Sequence, residues 1–282
     1  MVQGGVRESE AGAEVVEAYE AWLSGIKRRD EASDLFERAL SMLPPPANLN
    51  AETVFYFLRR LREFEEMRFF SLSGIFLSAI LSVIREETVV LDLRNLTLDF
   101  VGFRNRKSVF VEGNVGSYAG AEMEKGLLKI KGNAFGSLGR EMRGGEIVVY
   151  GDAGYWVGEK MRGGRIVVEG SVKDALGVEM LAGEIIVRGS AGNYVGKGML
   201  GGKIVVFGNV GHWLGQGMSG GEILVCGNAE NGVGNWMRGG RISVEGEVGE
   251  LLGLNMLAGS IRVKNMVIIQ VERNYTFMSE GR

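Results

Sequence analysis

The chain is almost devoid of the two residues that build most metal and redox sites. Its 282 residues include one cysteine, Cys226, and one histidine, His212. A single cysteine excludes an internal disulfide framework and an iron–sulfur site held by several thiolates. A single histidine excludes a histidine-rich metal cluster. We therefore expect the chain to bind no metal and no cofactor, and the lone cysteine fits a reducing compartment.

Charge and long apolar runs are also scarce. The net charge is -3, so the chain lacks the strong positive field that favours nucleic acid as a partner. The N-terminus has no basic segment followed by an apolar one, which predicts a cytoplasmic location. The uncharged run 69–84 is shorter than the roughly 17–25 residues of a membrane span, and it contains four serines. We expect it to form a buried helix, and we expect no membrane association.

Glycine, in contrast, is abundant, with 45 residues, most of them in the second half of the chain. From position 113 onward a glycine returns at a constant spacing of 19, and a second glycine, a methionine and a third glycine follow it at offsets of 7, 10 and 13. The four series run from Gly113 to Gly246, from Gly120 to Gly253, from Met123 to Met256 and from Gly126 to Gly259. Eight copies without an insertion indicate a repeat architecture.

Each repeat unit ends in a short alternating segment, such as Glu146–Tyr150. Alternation with β-branched residues predicts a strand whose inward side chains are Ile147 and Val149 or their equivalents. The rest of the unit is too short for a helix and too rich in glycine. The sequence therefore predicts an all-β parallel β-helix of about eight coils, stacked about 4.8 Å apart, with ladders of Ile, Val and Met in its core.

The repeated glycines fit turns that need positive φ or close approach of two backbones. A phosphate-binding glycine loop is the alternative, but such a loop occurs once and precedes a helix. Here the pattern occurs eight times, and no helix follows it. We therefore assign the glycines to the turns of the coils.

Two outward columns are visible on the predicted strands. The first alternates in sign from coil to coil, so opposite charges would face each other in the stack; we call it the charge ladder: Glu146, Arg165, Glu184, Lys203, Glu222 and Arg241. The second lies two residues further on, and we call it the apolar stripe: Val148, Val167, Ile186, Val205 and Leu224. A continuous apolar surface of this kind predicts that something covers it.

A third outward feature is aromatic, and we call it the aromatic ridge: Tyr155, Trp156, Tyr194, His212 and Trp213. Two interpretations remain open. The rings shield the turns, or they form an interface for a partner, where Tyr and Trp are favoured. No recognisable motif places a cysteine, serine or acid beside His212, so we predict no catalytic residue.

Residues 1–86 are predicted to form a small helical domain. Apolar spacing indicates helices over 12–27, 31–43 and 71–85, and Asn50 is a candidate N-cap for another helix between them. The spacing of the second helix also fits a tetratricopeptide repeat, which is an alternative. We expect these helices to lie along the apolar stripe and cover it with Phe55, Leu58 and Phe76; the alternative is that a second chain covers it.

Three further segments complete the predicted organisation. Residues 87–112 are assigned to capping strands that lead into the solenoid. Residues 113–264 are the β-helix. Residues 265–282 are a capping strand, centred on Val267–Val271, and a tail.

The segment 208–221, with glycine at 208, 211, 215, 217, 220 and 221, resembles the C-terminal domain of the glutamate synthase large subunit. The same repeat occurs in one of the subunits of formylmethanofuran dehydrogenase. The resemblance covers about 113–264 and implies a right-handed β-helix. In glutamate synthase this domain is structural and holds the catalytic domains together. The helical residues 12–85 do not resemble either family.

The resemblance implies a non-catalytic scaffold that works as a subunit of a multi-subunit oxidoreductase. Because the chain begins with Met1 and has only Cys226, we expect it to lack the glutaminase, flavin and cluster parts of glutamate synthase. A scaffold like the one in formylmethanofuran dehydrogenase, or an independent solenoid that associates with itself, remains as an alternative. The expected partners are other protein subunits or a second copy of the chain.

Overall fold

The computed structural model describes residues 10–27, 29–63, 70–264, 266–271 and 274–279. The helices are α1 Glu10–Ser24, α2 Ala32–Met42, α3 Ala51–Leu61 and α4 Phe70–Val83, with a short 3-10 turn at Pro46–Asn48. The strands are β1 Thr88–Asp92, β2 Ser108–Glu112, β3 Leu127–Ile130, β4 Glu146–Val149, β5 Arg162–Val168, β6 Ala182–Val187, β7 Lys203–Val206, β8 Glu222–Val225, β9 Arg238–Val244, β10 Ala258–Val263, β11 Met266–Val271 and β12 Asn274–Ser279.

The four predicted helices are confirmed, within a few residues at each end. The side chain of Asn50 accepts a hydrogen bond from the Thr53 amide, and the Thr53 hydroxyl accepts one from the Asn50 amide. This reciprocal pair is a capping box, which fixes where α3 begins. The apolar faces meet in an aromatic cluster in which Tyr19 contacts the rings of Phe57 and Phe76 edge to face, at 5.1 and 5.3 Å.

Strands β1 to β10 pair in parallel, each with the next, and enclose about nine turns of a β-solenoid. From β2 onward the register advances by a constant step of 19, as in the pairing of Ser108 with Leu127. The first turn is one residue longer, since Thr88 pairs with Ser108. The extra residue explains why the glycine series begins only at position 113, and why the sequence predicted eight coils rather than nine.

The core consists of side chains stacked on their own equivalents in the next coil. The Ile and Val positions of the strands are fully buried, as are all eight methionines of the repeat. A second ladder of small residues closes the opposite side through single bridges: Val115, Ala134, Ala153, Val172, Ala191, Val210, Ala229 and Val248. The predicted Ile, Val and Met ladders are therefore confirmed.

The second glycine of each coil needs both positive φ and empty space. At Gly196, φ is +66°, and a Cβ would lie 2.4 Å from Cδ1 of Ile223 in the next coil. The isoleucine ladder thus fills the space that the missing side chain leaves. Another left-handed glycine, Gly217, has φ of +65° but no atom within 4 Å of its ideal Cβ.

The helices pack over the first turn, at the end of the stack. The hydroxyl of Ser78 in α4 donates to the carbonyl of Phe100 at 2.9 Å and accepts from the amides of Gly102 and Phe103. The ammonium group of Lys107 donates to the carbonyls of Ile84 and Glu86. These bonds fasten α4 and the chain that follows it to the turn between β1 and β2.

The prediction that the helices cover the apolar stripe is therefore wrong. Phe76 is fully buried within the helical cluster, and Phe55 is exposed. The outward side chain of Val90, in the strand nearest the helices, is 64% exposed. The physical reason is that the end of a solenoid bares the core of its first coil, including Leu91 and Leu98, and the helices bury that larger apolar surface.

The other end of the stack closes differently. Strand β11 confirms the predicted strand over Val267–Val271, but it runs antiparallel to β10. A further strand, β12, pairs antiparallel with β11. The sequence did not predict β12.

The apolar run of α4 is buried against the other helices, as predicted. Ile75, Leu77 and Ile80 are fully buried. Within the described ranges, no helix is long and apolar enough to cross a membrane.

Replacement of Gly196 by valine should destabilise the solenoid strongly. The variant combines left-handed strain with a collision against Ile223, and we expect a loss of about 3 kcal/mol or more in the free energy of unfolding. Gly217→Val is the matched control, because it has nearly the same φ without the collision. Denaturant titrations of both variants measure the difference, and equal losses would contradict a role for the isoleucine contact.

A second prediction concerns pH. Asp99 lies under α4, where burial raises the pKa of its carboxyl, partly offset by the hydrogen bond that it accepts from the Ser117 amide at 2.6 Å. A raised pKa means that the folded state favours the protonated acid, so stability falls as pH rises through that range. Asp99→Asn should raise the melting temperature at pH 7, and the gain should vanish near pH 3. A lower melting temperature at pH 7 would contradict this.

Candidate interaction surfaces

The turns of the solenoid are locked from coil to coil by side-chain acceptors. The residue after the first glycine accepts a hydrogen bond from the amide of its equivalent in the next coil, as Asn209 does from Asn228 at 2.9 Å. The chain of such bonds is continuous over seven steps: Asn114, Asn133, Asp152, Ser171, Ser190, Asn209, Asn228 and Glu247. Because every amide in this column after the first has a fixed acceptor, the backbone beneath the neighbouring side chains is rigid.

The aromatic ridge stands on this rigid edge. Its rings occupy the fourth and fifth positions after the first glycine, and those at the fifth are left-handed. Trp156, Tyr194 and Trp213 have φ of 63°, 61° and 64°. Positive φ is rare for bulky residues, and it directs each side chain outward from the turn. The left-handed backbone of these residues could not be predicted from the glycine pattern, because no glycine marks their column until Gly232.

The rings of the ridge are partly exposed and held by neighbours. Trp156 is 47% exposed and Tyr155 is 48% exposed. The ammonium group of Lys173 lies 5.0 Å from the centre of the Tyr155 ring. The indole of Trp213 lies over Gly232, whose Cβ would approach it to 2.4 Å. Shielding of turns therefore accounts for Trp213, whereas Trp156 and Tyr155 leave much of their surface free for a partner.

His212 belongs to the ridge through its contacts. Its imidazole Nε2 lies 2.7 Å from a carboxylate oxygen of Glu230, and its amide donates to the side chain of Asn193. Both side chains of the ion pair are exposed. The described surroundings therefore give His212 a role in surface pairing.

The charge ladder pairs as the alternation predicted. The guanidinium of Arg165 lies 2.8 Å from a carboxylate oxygen of Glu146 and 3.1 Å from one of Glu184. These ion pairs are well exposed, so each contributes little to stability, about 0.2–1 kcal/mol. Their geometry nevertheless holds one row of charges straight along the strand face.

The apolar stripe lies beside this ladder on the outer face of strands β4 to β8. Val167 is 6% exposed and Val205 is 8% exposed, because the taller side chains on either side shield them. Val148, Ile186 and Leu224 are more open. No described helix lies on the stripe, so in this chain its cover consists of its neighbours alone.

A third column flanks the stripe on its far side, and it was not among the sequence-based predictions. It runs through Tyr150, Glu169, Arg188, Phe207, Cys226 and Glu245, and we call it the flanking column. Arg188 pairs with Glu169 at 4.0 Å, and its guanidinium lies 4.7 Å from the centre of the Phe207 ring. Following the repeat step from Tyr150 would have revealed it. We call the charge ladder, the apolar stripe and the flanking column together the sheet face.

Two more apolar residues extend the stripe towards the helices. The pairings of the strands place Val90 and Phe110 in its column, with Lys129 between Phe110 and Val148. The ammonium group of Lys129 lies 5.5 Å from the centre of the Tyr150 ring. Val90 was not predicted to lie in this column because the first turn is one residue longer than the others.

The single thiol is not set up as a nucleophile. Burial raises the pKa of Cys226, and the nearby charge of Glu245 raises it further, so the reactive thiolate is disfavoured. A shallow groove follows along the sheet face, lined by Leu224, Ser243, Val244, Glu245, Arg262 and Lys264. In the part of the chain that the structure describes, no three His, Cys, Asp or Glu side chains are grouped as a metal site would require.

Comparison with known families agrees with the geometry. Residues 101–232 match the family described as GXGXG motif, the repeat found in the C-terminal region of glutamate synthase. No curated protein matches the chain.

Asn209→Ala tests the ladder of turn acceptors. The change leaves the amide of Asn228 without its side-chain acceptor, and because this edge is exposed to water we expect a modest loss of about 0.5–1.5 kcal/mol. Asn209→Asp should be close to neutral, since Asp152 fills the same role elsewhere in the ladder. Denaturant titration measures both variants, and equal losses for alanine and aspartate would contradict the ladder.

Proposed function

Because residues 101–232 belong to the GXGXG motif family, we propose that the chain is a structural subunit of a glutamate-synthase-like oxidoreductase. In this role the solenoid positions other subunits and supplies no reacting group. The proposal rests on one observation above all, which is the aromatic ridge. It combines half-exposed Tyr and Trp side chains with a backbone that is fixed before any partner arrives.

The physical chemistry of the ridge supports a protein partner. Tyr and Trp bury large areas with few rotatable bonds, and they are enriched in interfaces. A partner that covers Trp156 and Tyr155 loses little conformational entropy, because the turn ladder already holds the backbone beneath them. Lys173 and the pair of His212 with Glu230 supply a polar rim.

Native purification tests the proposal. The tagged chain, expressed in its own cells, should co-purify with a subunit that carries flavin or an iron–sulfur cluster, visible by absorption and identified by mass spectrometry. Trp156→Asp should reduce the recovered partner at least tenfold, because it places a charge in the buried centre of the interface. Aspartate tolerates the left-handed backbone at this position.

Trp236→Asp is the matched control. Trp236 is 51% exposed and also left-handed, with φ of 56°, but it lies outside the ridge. It should leave the recovery of the partner unchanged. Equal losses from both variants, or purification of the chain without any redox subunit, would contradict the proposal. So would a flavin band at about one per chain in protein made alone.

A further inference from the structure

We propose that the sheet face is a homodimer interface, in which two copies pack face to face about a twofold axis parallel to the stack of coils. This inference goes beyond the scaffold role and uses a different surface from the aromatic ridge. The evidence is the relation between the charge ladder and the flanking column. These two columns lie on opposite sides of the apolar stripe, about 13 Å apart, which is four residues along a strand.

The signs of the two columns are in antiphase. Where one column carries a cation, the other carries an anion four residues away on the same strand: Arg165 with Glu169, Glu184 with Arg188, and Arg241 with Glu245. Pairing within the chain requires only that each column alternates along the stack. It sets no phase between the columns, because side chains on either side of the stripe are too far apart to pair.

A twofold axis along the stack accounts for the phase. Rotation about this axis reverses the strand direction and keeps the height of every coil. The charge ladder of one copy then faces the flanking column of the other within the same coil. Arg165 meets Glu169 of the second copy, and Glu184 meets its Arg188. Each such contact occurs twice, once on either side of the axis.

The other coils of the face are compatible with the same arrangement. Lys203 of one copy faces the ring of Phe207 in the other, a cation–π pairing, and Glu146 faces the phenol of Tyr150. No strand from β4 to β9 brings two like charges from these two columns together.

The apolar stripe meets itself in this arrangement. Two packed sheets lie about 10 Å apart, which leaves room for one layer of aliphatic side chains from each copy. Val148 to Leu224 would form that layer over five coils, and Phe110 and Val90 extend it towards the helices. The high exposure of Val90 shows that the helices leave this end of the face open.

The reversed arrangement, with the stacks antiparallel, fits worse. If it is centred on Ile186, the stripe matches itself, but the charge ladder opposes like charges, Glu146 against Glu222 and Arg165 against Lys203. A shift of half a coil restores opposite charges, but it then places Val148 against Ser243. The parallel arrangement satisfies the charges and the apolar stripe together.

The available area is sufficient for a modest dimer. The face is about 13 Å wide, and ten strands spaced at about 4.8 Å give it a length of about 43 Å, so two copies would bury roughly 1,100 Å² in total. This value lies just above the lower limit for a specific interface, so we expect a dimer at micromolar concentrations.

Sedimentation velocity on the full chain tests the dimer. The wild type should sediment as a dimer, and Val167→Asp should raise the dissociation constant on the order of 100-fold, because the stripe faces itself and two carboxylates would be buried opposite each other. Leu200→Asp is the matched control, since Leu200 is exposed outside the sheet face. It should remain dimeric. Circular dichroism and melting curves confirm that both variants are folded.

Cross-linking tests the symmetry without relying on a destabilising variant. In a Cys226→Ser background, Val148→Cys places two thiols at the same height about 10 Å apart, so a short bismaleimide should link the copies. In the reversed arrangement centred on Ile186 the two thiols would be four coils, or about 19 Å, apart along the stack. Val148→Cys would then link only to Leu224→Cys when the two variants are mixed.

Each outcome decides the proposal. A dimer that Val167→Asp dissociates, Leu200→Asp spares and Val148→Cys captures supports it. A monomer at tens of micromolar, a dimer indifferent to Val167→Asp, or cross-linking only between Val148→Cys and Leu224→Cys would overturn it. The scaffold role is judged separately by the Trp156→Asp recovery, so one proposal can fail while the other stands.

Discussion

The bond between each backbone and the one before it, repeated at a constant step, governs the rest of this structure. The amide of Gly196 donates to the carbonyl of Leu176 at 2.8 Å, and the amide of Gly215 donates to that of Val195 at the same distance, one coil later. Because the step never changes after the first turn, every side chain stands on its own equivalent. Methionine must then pack on methionine and glycine must recur, while charged columns must alternate in sign to avoid repulsion.

This constraint explains why the sequence predicted the solenoid so well. The constant register is written directly in the glycine and methionine series, and the inward Ile147 and Val149 follow from alternation. The helices were predictable for a different reason, since Asn50 and the apolar spacing are local signals. The GXGXG repeat was also visible in the sequence, and its family match covers 101–232.

The features that could not be predicted from the sequence depend on non-local geometry. Whether the helices lie along the stack or over its end is decided by which apolar surface is larger, and no local pattern reports that. The bonds of Ser78 and Lys107 to their partners join residues more than 20 positions apart. The left-handed backbone under Trp156 is equally hidden, because that column carries aromatic residues where a turn residue would be expected. The extension of the apolar stripe to Val90 needed the register of the first turn.

The alternating charge ladder has a consequence for how such a chain can grow. Both ends of the stack are specialised, one by helices and the other by the antiparallel pair β11 and β12, so new coils can enter only between them. Duplication of one repeat unit would place two glutamates or two arginines in neighbouring rungs. Duplication of two units would preserve the alternation. The sign rule therefore acts as a parity condition on evolution, under which the solenoid lengthens most readily by pairs of coils.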